Sequence, residues 1–304
     1  MGELRGVLNA LLTPFTSDGE VVEERVLRAL VERSIHGGIH GLVPCGSTGE
    51  FTSLSLDERK LVLEIVLDET AGRVPVVAHT GAMTTREAVL LSRHAERAGA
   101  SAVMVVAPYY EPLTLNEVSR YYQDIAASVG ISVMVYNLPA ATGVNLNPKE
   151  IANLAASVSN ISYVKDTSGD MSQAAELIHE YGDVVSTFVG LDTLYFASIV
   201  EGASGSVLGT ANLLPSELAA IWDALKAQEL ERASALWAEI FPLMRFLVSG
   251  GYVAGLKSGL EILGFPVGVP RAPLEALGEP RLSDLRMILS TLPELLPPYA
   301  TELT

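Results

Sequence analysis

Short apolar runs alternate with longer amphipathic ones eight times, in unbroken order, through about the first 225 residues of this 304-residue chain. The apolar runs are Gly6–Leu12, Gly41–Cys45, Val74–Ala78, Ala102–Ala107, Ser132–Tyr136, Ile161–Thr167, Val185–Val189 and Ser204–Leu208. Helix-start chemistry stands between them. Ser55 with Glu58, Thr84 with Glu87 and Thr114 with Glu117 read as capping boxes, in which hydroxyl and carboxylate satisfy free amides of a first turn. Asn147, Pro148 and Glu150 combine an N-cap, a proline at the first helical position and a box glutamate. Further helices are expected over Glu23–His36, ended by Gly37-Gly38, over Met171–Tyr181, around Leu194–Val200 and from Pro215. Strand-then-helix units leave two layouts, a closed (β/α)8 barrel or a doubly wound open sheet. The glycine fingerprint of a dinucleotide-binding sheet is missing after the first strand, where Thr13-Pro14-Phe15 stands. Eight units match barrel closure, so the barrel is the expected fold.

Beyond the eighth unit the pattern becomes purely helical: Leu230–Val248, Tyr252–Leu263 and Ser283–Leu296, with Pro266, Pro270, Pro273 and Pro280 punctuating the last connection. The expected organisation is a barrel over residues 1–225 carrying the active site and a helical region over 226–304 packed on it. A formal charge of −16 disfavours nucleic acid and anionic membrane as partners, since both require a basic footprint. No apolar run is long enough to span a bilayer, and the amino terminus lacks a secretory pattern. Cys45 is the single cysteine, which forbids an internal disulfide and fits a reducing cytoplasm. No metal-ligand spacing is visible.

One strand carries a charge that its apolar surroundings must accommodate. Ile161–Thr167 holds Lys165, and a lysine ammonium is costly to bury unless it is paired or can lose its proton. The chain has five lysines. Lys60, Lys149, Lys226 and Lys257 fall in helical segments, where a long cationic side chain is expected to reach water. Two readings of Lys165 stand side by side. It is a core lysine paired with Asp166 or another carboxylate, or a free amine that attacks carbonyls to form an imine.

In a barrel the chemistry sits at the carboxyl ends of the strands. The second strand gives Gly46-Ser47-Thr48-Gly49-Glu50, either a cradle of amides and hydroxyls for an anion or an ordinary strand-to-helix turn. The fourth ends in Tyr109-Tyr110 and the fifth in Tyr136-Asn137; a phenol beside an imine-forming lysine can relay protons, and it can equally be a core filler with one wet end. Gly190, Asp192 and Ser206, at the seventh and eighth strands, offer contacts to a hydroxylated substrate or are simply loop residues. His79 reads as a packing histidine and Cys45 as a small buried hydrophobe.

Gly46–Glu50, Pro108-Tyr109-Tyr110, Tyr136-Asn137-Leu138-Pro139 and Val164–Thr167 occur in an order and spacing that resembles the dihydrodipicolinate synthase/N-acetylneuraminate lyase family, along essentially the whole chain. The resemblance implies a (β/α)8 barrel with a C-terminal helical region, a homotetramer built as a dimer of dimers, and class I aldolase chemistry on pyruvate or another 2-oxo acid without a cofactor. It makes Lys165 the Schiff-base lysine and Tyr136 the proton relay. Ser47 and Thr48 become the donors that hold the pyruvyl carboxylate, and Tyr110 the tyrosine that reaches across a subunit interface. Gly49 and Thr167, which lie within the matched motifs, are carried along as substrate-binding positions.

One position departs from the synthases. They carry an arginine two residues after the proline of the Tyr-Asn-Xaa-Pro segment, where it grips the carboxylate of aspartate semialdehyde; Ala141 stands there in this chain. Loss of such a bidentate contact removes a few kcal/mol of binding. The sequence alone therefore ranks reversible aldol cleavage, or dehydration, of a 2-keto-3-deoxy sugar acid first. Dihydrodipicolinate synthesis is the alternative. Ala78–Gly81 also resembles the lyase side, although Thr193 follows Asp192 where neuraminate lyases carry an acidic residue. A non-catalytic barrel that binds 2-oxo acids is the reading of another class; it has no need of a nucleophilic lysine.

Overall fold

A computed structural model describes residues 3–292. Its strands are β1 (Gly6–Ala10), β2 (Gly41–Val43), β3 (Val77–His79), β4 (Ala102–Val106), β5 (Ser132–Asn137), β6 (Ile161–Asp166), β7 (Ser186–Val189) and β8 (Gly205–Leu208). The helices are α1 (Glu24–His36), α2 (Leu56–Thr70), α3 (Thr85–Ala98), α4 (Leu115–Ala126), α5 (Pro139–Thr142), α6 (Pro148–Ser157), α7 (Met171–Glu180), α8 (Tyr195–Glu201), α9 (Pro215–Lys226), α10 (Leu230–Val248), α11 (Tyr252–Ile262) and α12 (Glu279–Ser290). The fold is a (β/α)8 barrel with a helical C-terminal segment, as the alternation predicts. Among the described residues no helix is long and apolar enough to cross a membrane.

The chain divides into two compact units. One comprises residues 3–5 and Pro75–Val207. Here β3 to β8 pair in parallel with their sequence neighbours. Strands buried on both faces need uninterrupted apolar side chains, and β4 is buried at every position. The helix that follows is tied back to it by phenols. Tyr122 Oη donates to Val105 O (3.1 Å), and Tyr121 Oη donates to Ala82 O (3.0 Å) while accepting from Ala82 N (3.1 Å). The capping boxes at Thr114 and Asn147 form with both their bonds. At Thr84 only the hydroxyl half forms, with Glu87 N donating to it. Pro139–Thr142 is a short helix opened by its proline and closed by Gly143 in the left-handed region.

The second unit comprises residues 6–74 with 208–292 of the described chain. β1 and β2 pair in parallel, and the box at Ser55 caps α2. Here α12 starts four residues earlier than expected, because Pro280 is not punctuation. It sits in the first turn, where its missing N–H costs no hydrogen bond. Residues 293–296 of the expected last helix lie outside the described residues.

The proline-rich connection between α11 and α12 works as a strap within this unit. Phe15 N donates to Val267 O (3.0 Å), and Gly268, at φ +71°, lies so close to Phe15 O that a β-carbon would collide with it. Arg271 fans its donors over three segments: Nε to Gly19 O (2.7 Å), Nη1 to Ser53 O (3.1 Å), and Nη2 to Glu20 O (2.8 Å) and Glu58 Oε1 (2.6 Å). That last bond holds the Glu58 carboxyl below its usual range. A carboxylate so depressed contributes stability that is present above the ordinary value of 4.5 and is lost as the pH falls through the folded value. Glu58→Gln is accordingly expected to lower the melting temperature modestly at neutral pH, to change it little well below 4.5, and so to flatten the fall on the acid side, as read by circular dichroism melts across pH.

Candidate active site

In a strand, successive side chains point to opposite faces, so register decides which residues meet. Within the 75–207 unit, Tyr136 of β5 lies opposite Lys165 of β6, which lies opposite Phe188 of β7. The next row holds Asn137, Asp166 and Val189. A register shift creates this alignment. Val133 faces Ile161 but Met134 faces Tyr163, leaving Ser162 without a partner. Without that extra residue Tyr136 would face Val164, and the lysine would sit in another row.

Lys165 is 5% exposed. Its Nζ lies 4.0 Å from the centroid of the Tyr136 ring, over the face that attracts a cation. Among the described residues no carboxylate pairs with it. Asp166, the sequence candidate for that pairing, faces the other way and is fully engaged. Its Oδ1 accepts from Asn137 Nδ2 (2.8 Å) and Gln173 Nε2 (3.0 Å), and its Oδ2 from Ser168 Oγ (2.7 Å). Asn137 Nδ2 also reaches Asn145 Oδ1 (2.8 Å), and Asn137 Oδ1 accepts from Leu146 N (3.1 Å). This network fixes the ends of β5 and β6 and leaves the lysine free of an ion pair.

Room for the lysine comes from Gly190. A β-carbon there would overlap Lys165 Cε and Thr167 Oγ1. Thr167 Oγ1 is buried beside the lysine stem and has no hydrogen-bond partner among the described residues. A buried unsatisfied hydroxyl is costly, and a ligand oxygen would satisfy it. Tyr136 is buried, and the ring of His79 stands edge-on to it, 6.4 Å between centroids, so His79 packs as the sequence suggests. Asp192 is buried in a 3-10 turn, Asp192–Leu194, directly after β7. Ser206 pairs in register with Val189, which puts Gly205 in the Lys165 row; its Oγ lies 3.5 Å from Ser198 Oγ. Tyr110 is 82% exposed, a large aromatic presented to the surroundings.

The structure thus brings Lys165, Tyr136, Thr167 and Gly190 together in one unit. Ser47, Thr48 and Gly49 belong to the other. There the 46–50 turn is closed by Glu50 N donating to Ser47 O (3.1 Å) and Phe51 N donating to Gly46 O (3.3 Å). Thr13 Oγ1 donates to Gly49 O (2.8 Å). Gly49 is required because a β-carbon would press to 2.9 Å on Leu11 O and 3.2 Å on Cys45 N. Ser47 is exposed and Thr48 buried. Cys45 is enclosed, and burial pushes its thiol up to about 12, so it is an inert packing residue as expected.

Sequence reasoning misjudged one lysine. Lys257 does not reach water: its side chain is 2% exposed and lies 2.7 Å from Glu50 Oε1. The signal was present in its helix, Tyr252–Ile262, where it is the sole basic residue among small and apolar ones. Three glutamine and asparagine side chains around Asp166 were also missed; polar residues at strand ends carry no mark that distinguishes a network from a loop.

Comparison with known proteins covers nearly the whole chain. The sequence profile of the dihydrodipicolinate synthetase family matches residues 3–292. A 4-hydroxy-tetrahydrodipicolinate synthase from Methanopyrus kandleri is 38% identical over 95% of this chain and 97% of its own length. Among solved structures, a prophage protein of the dihydrodipicolinic acid synthase family from E. coli K12, in complex with pyruvate, superposes with a TM-score of 0.91 at 30% identity, covering 95% of this chain and 98% of that one. The chloride-inhibited dihydrodipicolinate synthase from Acinetobacter baumannii, complexed with pyruvate, gives 0.91 at 31% identity over 95% and 99%. The profile match over residues 3–292 and the relative at 38% identity identify the chain as a member of the dihydrodipicolinate synthetase family, lyases that work through a covalent lysine–pyruvate imine with no metal or external cofactor.

Proposed function

We propose that this protein condenses pyruvate with aspartate semialdehyde through an imine on Lys165. The observation that carries the imine is the buried Lys165 Nζ, held over the Tyr136 ring without a carboxylate partner among the described residues. In this reading the lysine amine adds to the C2 carbonyl of pyruvate and water leaves. The protonated imine then draws electrons from C3, which loses a proton to give the enamine. Enamine carbon attacks the aldehyde carbon of the second substrate, the imine re-forms, the new alkoxide takes a proton, and addition of water or of the product's own amine to the imine carbon releases Lys165. Tyr136 is assigned the alkoxide's proton and the one released from C3. Ser47, Thr48 and Gly49 are assigned the pyruvyl carboxylate, since amides and hydroxyls of a tight turn suit an anion. Thr167 supplies its unsatisfied hydroxyl, and Gly190 and Asp192 are assigned to the second substrate; Ser206, expected at the same site, stands in the Asp166 row on the other face of its strand, beside Ser198, and is given no contact to substrate. Tyr110 is assigned to the site of a neighbouring subunit in a homo-oligomer, a dimer of dimers, a role its exposure supports. A reducing cytoplasm suits the single, buried cysteine.

The names of the curated relatives support condensation, which the sequence alone places second to cleavage of a 2-keto-3-deoxy sugar acid. One observation favours the cleavage reading. Ala141 is exposed in the short Pro139–Thr142 helix and offers no charge to the semialdehyde carboxylate. Two steps separate the readings. Incubation with pyruvate, reduction with borohydride and peptide mapping are expected to place the adduct on Lys165; its absence there removes both. Aspartate semialdehyde is then expected to be consumed together with pyruvate. If it is inert while a keto-deoxy sugar acid releases pyruvate, cleavage is the activity.

A further inference from the structure

The chemistry above leaves unused a buried charged pair in the unit that carries the Ser47–Thr48 turn. Two non-glycine residues with left-handed backbone bracket that turn, Cys45 at φ +58° and Glu50 at φ +56°. Residues with a β-carbon adopt this region at a cost, so something must hold them there. Glu50 is held by its own carboxylate. Oε2 accepts from the backbone N of Arg271 (2.8 Å), and Oε1 pairs with Lys257 Nζ (2.7 Å). Lys257 Nζ also donates to Val269 O (3.1 Å) and lies 4.2 Å from the centroid of Phe15. The Arg271 guanidinium lies 4.1 Å from the same ring centroid.

Stability alone does not require this arrangement. Two charges taken out of water lose hydration that their attraction barely restores, and an apolar pair of similar size packs as well. What an ion pair adds is directionality: the carboxylate has one place to be. Burial pushes the Lys257 ammonium down from its usual range, and Glu50 partly offsets this. Lys257 is no second nucleophile, because it is enclosed and engaged. Displacement of Glu50 passes directly to the turn through its N–H bond to Ser47 O.

We propose that Glu50, Lys257 and the Arg271 amide form a clamp that positions the Ser47–Thr48 turn to receive the substrate carboxylate. This rests on the reading that Ser47 and Thr48 hold that carboxylate. The clamp explains why the α11–α12 connection is strapped so closely to this part of the unit. Glu50, Lys257 and Arg271 act as positioning residues and need not touch substrate.

The test compares pyruvate with hydroxyacetone, a small ketone without a carboxylate, in borohydride trapping at Lys165 of the full chain. Glu50→Asp retracts the carboxylate by one methylene. The double variant Glu50→Gln/Lys257→Met removes both charges and leaves neither unpaired, and it carries the test if Glu50→Asp does not fold. In either variant the pyruvate concentration for half-maximal trapping is expected to rise about tenfold or more, while hydroxyacetone trapping stays within about twofold of the native protein. An unchanged pyruvate requirement overturns the clamp. So does a proportional loss with both ketones, which would mean general damage. Failure of the native protein to trap pyruvate at Lys165 is a different result: it removes the functional reading itself, and the clamp with it.

Discussion

Lys165→Arg is expected to abolish the borohydride-trapped pyruvate adduct and to lower turnover by about 10⁴-fold or more, while the protein remains folded. The reason is chemical. A guanidinium stays protonated at every pH where a protein is folded, so it keeps a cation in place but presents no lone pair to a carbonyl. The site tolerates the cation, since a planar guanidinium stacks on an aromatic face and Lys165 Nζ already lies over the Tyr136 ring. Loss of the adduct with a melting temperature close to native would therefore isolate the nucleophile. Trapped protein digested and mapped by mass spectrometry, together with steady-state turnover and thermal melts, reads all three quantities. An adduct that persists in the variant, on Lys257 or any other lysine, would transfer the imine elsewhere. The enclosure of Lys257 against Glu50 argues against that outcome.

Much of the scaffold was legible because it depends on local rules. The strand-then-helix alternation, the capping boxes at Ser55, Thr114 and Asn147, and the placing of Lys165 near the end of a strand each follow from a few adjacent residues. What escaped depends on residues far apart in sequence. Nothing in Ile161–Thr167 announces that Ser162 is skipped in pairing with β5, yet that one-residue slip is what aligns Lys165 with Tyr136. Periodicity assigned Lys257 to a helix but not to its buried face, because a lysine on an apolar helix finds its partner only when Glu50, about two hundred residues upstream, folds beneath it. Pro280 was read as a breaker for the opposite reason. The same residue ends a helix from inside and opens one from its first turn, and only the completed turn distinguishes the two. Ser206 shows how narrow the margin is. It lies one residue from the row of Lys165, and one residue on a strand is the difference between one face and the other.

For Tyr136→Phe a fall in turnover of about 10²- to 10⁴-fold is expected, with the pyruvate concentration for half-maximal imine trapping changed by no more than about threefold. Phenylalanine retains the ring, so the contact with Lys165 Nζ and the edge-on packing of His79 survive. Only the hydroxyl is lost. A phenol is both donor and acceptor, and the imine pathway moves two protons that need such a group: one leaves C3 as the enamine forms, and one reaches the alkoxide after the carbon–carbon bond is made. Imine formation itself comes before both. Exchange of the C3 protons of pyruvate for deuterium, followed by NMR without the second substrate, measures the first transfer alone. If exchange falls with turnover, Tyr136 serves the enamine step. If exchange persists while turnover falls, its proton goes to the alkoxide. Native turnover in the variant would leave the hydroxyl with no role in proton transfer, and Tyr136 would then act only through its ring, as the face on which the lysine rests.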